Sequence, residues 1–285
     1  MGVGFFDRTA RGRLVVSGHD RKDLLHRLGT NDVVGLQSGQ GCSCCFTTNK
    51  GRLIDWSIVL DRGDDLLLLC GNAQRLSGHI QQYTITEDVS VGGYMAVELV
   101  VCGAGAAEIL GVDLEPWSHT TRRLGEVETL VARIEPLNGE AYALVAPDAV
   151  LLREMLRPRA ESLDSARVDE LRIAGGIPAF PGEINENYNP WEAGLGTSIS
   201  ANKGCYIGQE VIARLHNYDK VQRKLVGIDL DQPAESGAPL QAEGKHVGVL
   251  TSVVRRRALG YVQVQSSAAG TKLDLGIVTE LPVLQ

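Results

Sequence analysis

The stretch Asn-Lys-Gly-Cys-Tyr-Ile-Gly-Gln-Glu-Val-Ile-Ala-Arg, residues 202–214, holds more reactive groups than a structural loop needs. The thiol of Cys205 and the ammonium group of Lys203 are two residues apart, and the carboxylate of Glu210 and the guanidinium of Arg214 follow. A thiolate is a strong nucleophile and a soft-metal ligand, and nearby cations favour its formation. The stretch therefore predicts a reactive thiol or a binding site for an anion.

Apolar residues at Ile207, Val211 and Leu215 recur at every fourth position and predict a helix over 207–216 with one buried face. Cys205 would then lie just before the N-terminus of that helix. Unpaired backbone N–H groups and the helix dipole lower the pKa of a thiol at such a position, and they also suit a carboxylate or phosphate. The alternative is that Cys205 is a small buried core residue, as free cysteines often are.

Length and composition limit the possible functions. The chain has 285 residues, a size typical of about two domains. A net charge of −7 argues against general nucleic-acid binding, which needs a basic surface. No apolar run approaches the roughly 20 residues of a membrane-spanning helix, and no signal peptide is evident, so we expect a cytoplasmic protein. The six cysteines lack the spacing of a disulfide framework and are expected to be reduced.

The chain changes character near residue 220. Residues 1–220 mix helical periodicity with antiparallel-strand patterns, which predicts an α+β region, and residues 221–285 contain only short β-type runs separated by turns. We expect the latter to form a small β-barrel. Its predicted strands are 225–230, 247–254, 259–264, 272–275 and 277–284. The aperiodic segment 175–202 is long for a loop and is expected to be ordered and functional.

The eight residues Lys-Gly-Cys-Tyr-Ile-Gly-Gln-Glu at 203–210 resemble the signature of the YgfZ/GcvT folate-binding family, specifically its YgfZ branch. The resemblance extends over nearly the whole chain, because shorter landmarks follow one another in the family's order. It implies a folate-binding α+β body of two interleaved subdomains, antiparallel sheets in a ring-like arrangement, and a C-terminal barrel. These landmarks are 30–32, 50–52, 171–173, 175–178 and 190–195.

The resemblance implies that the protein binds tetrahydrofolate and assists iron–sulfur cluster assembly or repair. Expected partners are folate and iron–sulfur client or assembly proteins, and no nucleic acid, membrane or permanently bound metal is expected. The residues carried over as catalytic are Cys205, Lys203 and Asp55. Those carried over as folate-binding are Asn31, Asp55, Arg172, Tyr188, Lys203, Tyr206, Gln209, Glu210 and Arg214.

The related aminomethyltransferase branch carries two acids in a Gly-Gly-x-x-Asp-Asp pattern and a pterin-holding Glu in Leu-Arg-x-Glu-Ala-Gly. This sequence keeps Asp55 but has Trp56 beside it, and Ala174 occupies the position of the Glu. A carboxylate orients a pterin ring through paired hydrogen bonds, so Asp55, Glu183 or Glu186 would have to replace it. A folate-dependent aminomethyltransferase or methyltransferase is the second hypothesis, and a non-catalytic binding protein with the same fold is the third.

Three further thiols cluster at Cys42, Cys44 and Cys45. On a strand Cys42 and Cys44 share one face, so they could contribute to a transient metal or cluster site with Cys205. Such a site normally needs four ligands, and no second cysteine pair is present. The other interpretation, which we favour, is that these cysteines are small residues packed in a core.

Overall fold

The computed structural model describes residues 2–282. Its six described α-helices are α1 Arg21–Leu28, α2 Ala73–Gln82, α3 Ala106–Leu110, α4 Ala149–Leu156, α5 Ser165–Ala174 and α6 Gln209–Asn217. The strands are β1 Gly4–Asp7, β2 Gly12–Ser17, β3 Gly41–Thr47, β4 Leu53–Asp61, β5 Leu66–Cys70, β6 Ser90–Gly93, β7 Val97–Cys102, β8 His119–Leu124, β9 Val127–Arg133, β10 Ala141–Ala146, β11 Glu161–Ser162, β12 Arg223–Leu230, β13 Pro239–Ala242, β14 Lys245–Val254, β15 Arg257–Gln263, β16 Lys272–Leu273 and β17 Gly276–Thr279. No described helix is long and apolar enough to cross a bilayer.

The described chain divides into two compact units whose segments alternate along the sequence. None of the boundaries between these segments falls at residue 220, where the sequence predicts one. The barrel strands belong to a unit that also includes α5, α6 and the segment between them. The first unit comprises 1–46, 55–164 and 198–207, and the second comprises 47–54, 165–197 and 208–285.

Two sheets form most of the first unit. One has the strand order β3-β4-β5-β2-β6, and the other has the order β11-β1-β7-β10-β9-β8. In the second sheet only the β1–β11 pair is parallel. Strands β4 and β5 are buried along their whole length, and apolar residues occupy all five positions of β5 and six of the nine positions of β4. Leu24, Leu25 and Leu28 form the buried face of α1, as their spacing predicts.

The barrel strands of the second unit form one antiparallel sheet in the order β13-β14-β15-β12-β17-β16. The two edge strands approach each other beside Asp274, whose amide donates to the Gln241 carbonyl (2.9 Å) and whose carboxylate accepts from the Gln241 amide (2.7 Å). The sheet is therefore nearly closed, which confirms the predicted barrel. The sequence missed β13, and residues 283–284 of the last predicted strand lie outside the described part of the chain.

Candidate functional site

The helix of the central stretch begins later than the sequence predicts. Gly208 has φ +82°, so the backbone there is left-handed and α6 starts at Gln209. A Cβ at Gly208 would lie 2.6 Å from the carbonyl oxygen of Thr48, so this turn requires glycine. Cys205 is thus four residues before the first helical residue, and the prediction of a thiol at a helix N-terminus is wrong, because the effect of a helix terminus is confined to its first turn.

The predicted buried face of α6 is also wrong. Ile212 is the buried residue of this helix, while the side chain of Val211 is 36% exposed. Ile207 precedes α6 and therefore does not belong to its apolar stripe.

Lys203 fastens the loop 198–207, here called the thiol loop, to the end of α1. Its ammonium group donates to the carbonyl oxygens of His26, Gly29 (2.6 Å) and Asn31 (2.9 Å). An ammonium group has three N–H donors, so these bonds use all of them. The last carbonyls of a helix lack partners within the helix and carry the negative end of its dipole, so a cation stabilises them. Burial lowers the pKa of Lys203.

Backbone hydrogen bonds and one indole hold the rest of the thiol loop. The Ile207 amide donates to the Arg27 carbonyl (3.0 Å), and the Thr30 hydroxyl donates to the Ser198 carbonyl (2.6 Å). The indole N–H of Trp56 donates to the Ser198 hydroxyl (3.1 Å). Trp56, which stands where the aminomethyltransferase branch has an acid, therefore positions the start of the thiol loop.

Cys205 is the exposed member of the six cysteines, all of which lie in the described part of the chain. Cys42, Cys44 and Cys45 are buried in β3, and burial raises the pKa of each thiol. The expectation that these three pack in a core is confirmed. Among residues 2–282 no group of three His, Cys, Asp or Glu side chains is arranged to hold a metal ion, so the shared cluster site has no geometric support.

Two further predicted residues adjoin Lys203. The ring centroid of Tyr206 lies 5.1 Å from the Lys203 ammonium nitrogen, and burial raises the pKa of the Tyr206 hydroxyl to about 12. Asn31 contributes its backbone carbonyl to Lys203, and its side-chain amide donates to the Ser43 carbonyl (2.9 Å). Lys203, Cys205, Tyr206 and Asn31 are therefore brought together in the first unit.

His26, which the sequence analysis missed, lies beside the thiol loop. Its Nε2 is 3.8 Å from the position that a Cβ of Gly204 would occupy, and Gly204 precedes Cys205. Its Nδ1 is 3.2 Å from a carboxylate oxygen of Asp32. The only signal in the sequence was the position of His26 in the last turn of α1, next to the Thr30-Asn31-Asp32 landmark.

Asp55 is fully buried and all its bonds are internal. Its carboxylate accepts from the Ser57 hydroxyl (2.7 Å) and from the amides of Gly71 (3.0 Å) and Asn72 (2.8 Å). Burial raises the pKa of Asp55, and these hydrogen bonds oppose that rise. The alternative of a solvated strand-end acid is wrong. The structure uses Asp55 to hold the turn before α2.

Arg172, predicted to bind folate, lies in the second unit and pairs with Glu183. Its guanidinium donates to the Glu183 carboxylate (3.2 Å), the Ser252 hydroxyl (2.9 Å) and the Ile177 carbonyl (3.1 Å). Glu183 is fully buried and also accepts from the Ala179 amide (2.9 Å). Both groups are committed to internal bonds, while Ala174, at the position of the pterin-holding acid, is exposed.

The other predicted binding residues of the second unit differ in exposure. Tyr188 is buried and stacks on Tyr261 with ring centroids 3.4 Å apart, and burial raises the pKa of its hydroxyl. Gln209 is half-buried at the start of α6, whereas Glu210 and Arg214 are exposed on the same helix. Of these four residues, only Glu210 and Arg214 are exposed.

Comparison with known proteins identifies the class. The crystal structure of glycine cleavage system aminomethyltransferase T from Bartonella henselae superimposes with a TM-score of 0.85, covering 99% of this chain and 86% of that one at 22% identity. The fold is therefore that of an aminomethyltransferase T protein. Residues 222–283 match the family described as CAF17, C-terminal beta-barrel domain.

Sequence relatives define the family. "Putative transferase At1g60990, chloroplastic" from Arabidopsis thaliana is 30% identical over 99% of this chain and 72% of its own length. The aminomethyltransferase of Halothermothrix orenii is 27% identical over 99% of this chain and 88% of its own. The chain belongs to the GcvT-like family that includes these proteins.

Proposed function

We propose that this protein binds tetrahydrofolate and assists iron–sulfur cluster assembly or repair through the thiol of Cys205, as a member of the YgfZ branch of its family. The observation that carries the proposal is the exposure of Cys205, alone among six cysteines, on a loop that Lys203 fixes to α1. The Lys203–Glu210 motif that resembles the YgfZ signature supplies both residues. The proposed partners are iron–sulfur client or assembly proteins of the cytoplasm.

A single thiol provides one of the four ligands that an iron–sulfur cluster normally takes. The chemistry that fits Cys205 is therefore transient, either ligation of cluster iron during transfer or nucleophilic attack by the thiolate. Lys203 contributes by positioning, since its three donors are already bonded to backbone carbonyls.

Part of the chain suits folate. The glutamyl tail is anionic, and the exposed guanidinium of Arg214 matches a carboxylate, whereas Arg52 and Arg223 are half-buried and pair with Glu192. The pterin ring needs a carboxylate, but Asp55 and Glu183 are buried and internally bonded, which leaves Glu186 as the exposed acid among the three candidates. The proposal accordingly gives folate a binding role and assigns the chemistry to the thiol.

Aminomethyl transfer is the second candidate function, and the aminomethyltransferases that match nearly the whole chain favour it. That reaction needs an acid or base near the folate nitrogen. Asp55, the only inherited candidate, is fully buried and accepts three hydrogen bonds. The site residues therefore favour the thiol function over aminomethyl transfer.

Anaerobic titration with tetrahydrofolate, monitored by calorimetry, tests whether the protein binds folate. We expect saturable binding by the wild type and weaker binding by Arg214→Ala. Lys50→Ala, which removes another exposed cation, is the control for nonspecific charge effects. Absence of saturable binding would reject both folate-dependent functions.

Complementation tests the second half. A strain that lacks its own family member should recover the activity of iron–sulfur enzymes with the wild-type gene and fail to recover it with Cys205→Ala. Cys102→Ala, which removes a buried thiol, should complement like the wild type. Full recovery with Cys205→Ala would remove the thiol from the mechanism. Turnover of an aminomethyl donor that Asp55→Asn abolishes would instead support the transferase.

A further inference from the structure

Strand β6 is an open edge of the five-stranded sheet in the first unit. It is the last strand in the order β3-β4-β5-β2-β6 and pairs with β2 alone among the described strands. The Tyr94 amide donates to the Arg13 carbonyl (3.0 Å), and the bonds between antiparallel strands recur at every second residue. Gly92 therefore bonds to β2, whereas the backbone groups of Val91 and Gly93 face away from β2 and have no hydrogen-bond partner among the described residues.

The other sheet edges in the described part of the chain are protected. The edge of β3 is covered, because the Thr30 amide donates to the Cys45 carbonyl (3.0 Å). Strand β8 carries Arg122 and Arg123, β11 has two residues, and the barrel edges meet beside Asp274. Charge, shortness and cover are the usual ways in which proteins keep a free edge from pairing. The sequence of β6, Ser-Val-Gly-Gly, provides none of them.

The two glycines of β6 have no explanation within a single chain. At each of the seven other glycines in the described strands, a Cβ would come within 2.8 Å of another atom. At Gly92 and Gly93 no atom lies within 4 Å of the Cβ position, and neither residue has a left-handed φ. Glycine weakens a strand and often marks a place where another backbone approaches closely. The neighbour that requires these glycines therefore lies outside the chain.

We propose that β6 pairs with β6 of a second copy of this chain, antiparallel about a two-fold axis. Val91 of each copy lies opposite Gly93 of the other, and such a pair exchanges both of its N–H···O bonds, so every free backbone group of β6 gains a partner. Gly92 then lies on the axis and faces Gly92 of the second copy. This is the pair without hydrogen bonds, in which the Cα atoms are only about 4.5 Å apart. Glycine removes the side chain that would collide with its own copy there.

The residues next to β6 also match a second copy. The same register places Met95, whose side chain is 97% exposed, opposite Val89 of the other chain. All eight residues of the segment 89–96 are uncharged. The nearest acid, Asp88, would lie opposite Ala96, so no like charges oppose each other across the axis. Self-pairing therefore buries apolar side chains at no electrostatic cost.

Sedimentation velocity over a range of protein concentrations tests the pairing. We expect the wild type to show a monomer–dimer equilibrium. Val91→Pro removes one outward N–H from each copy and keeps the bonds to β2, because an edge strand tolerates proline where its nitrogen faces solvent. Losing these bonds should raise the dissociation constant roughly ten-fold or more. Thr121→Pro, at an exposed outward-facing position of β8, is the matched control and should dimerise like the wild type.

Cysteine substitutions in a Cys205→Ser background test the register. Oxidation by copper phenanthroline in air should rapidly join chains that carry Gly92→Cys, because facing residues without hydrogen bonds have the Cα separation that a disulfide needs. Chains that carry Gly93→Cys should join much more slowly, because position 93 faces Val91 of the second copy. Non-reducing electrophoresis measures both rates.

Three outcomes would overturn the proposal. The wild type could remain a monomer at every concentration, Val91→Pro could dimerise as well as Thr121→Pro, or the two cysteine variants could cross-link at equal rates. A monomeric wild type whose β6 instead binds the strand of a different protein would also overturn it. None of these measurements uses folate or a client protein, so their result is independent of the proposed function.

Discussion

Two loops of this protein are each held in place by a half-buried cation, but in different ways. In the first unit, the thiol loop is held by Lys203, whose partners are three uncharged backbone carbonyls. In the second unit, the segment 175–197 is held by Arg172, whose partners include the carboxylate of Glu183. Each unit thus uses a cation from a family landmark as a structural tie.

The difference follows from the shapes of the two cations. An ammonium group is a compact charge with three donors and fits carbonyls that converge at a helix end, whereas a planar guanidinium fits a carboxylate. Both cations were expected at the ligand, yet their donors are consumed within the protein. The thiol of Cys205 takes part in neither of these contacts and is exposed.

Glu183→Gln should give the largest loss of stability. It removes the fully buried carboxylate that pairs with Arg172 and leaves the exposed Asp169 as the remaining acidic partner, and breaking such a buried pair costs about 3 kcal/mol or more. Calorimetric melting of the variant against Glu186→Gln, an exposed glutamate three residues later, measures this. Equal melting temperatures would mean that the pair is not what fastens the segment.

Lys203→Met should cost less, about 2 kcal/mol, because hydrogen bonds from a charged donor are lost but no charge is left unpaired. The freed thiol loop should also become more sensitive to limited proteolysis. Lys50→Met, at an exposed position, serves as the control. A loss as large as that of Glu183→Gln would contradict the proposed difference between the two ties.

Trp56→Phe should cost about 1 kcal/mol, since one buried hydrogen bond to Ser198 disappears. The comparable change in the second unit is Trp191→Phe, which removes an indole bond to the Ile212 carbonyl (2.9 Å). Trp191 is only partly buried, so water replaces its bond more readily and the loss should be smaller. Chemical denaturation of both variants decides the order, and the reverse order would count against Trp56 as an anchor.

Cys205→Ser should change stability least, within about 0.5 kcal/mol, because the side chain is exposed. The same substitution should abolish the single fast reaction of the native protein with a thiol reagent. Cys70→Ser, at a buried position, should leave that fast reaction intact. A fast-reacting thiol that persists in Cys205→Ser would show that another cysteine becomes accessible.

The sequence by itself determined the elements that depend on local pattern. Helix α1 follows from its leucine spacing, and most barrel strands follow from alternation and turn residues. The eight-residue motif at 203–210 identified the thiol and the family's fold. These signals are short-range, so no tertiary contact is needed to detect them.

Tertiary structure alone decided what the polar residues do. Lys203 bonds to His26, 177 positions earlier, and α6 begins only after Gly208, where a Cβ would lie 2.6 Å from the Thr48 carbonyl oxygen. Asp55 is buried because two amides after β5 meet its carboxylate. A side chain's partners depend on which distant segments fold against it, and these contacts cannot be predicted from residue spacing.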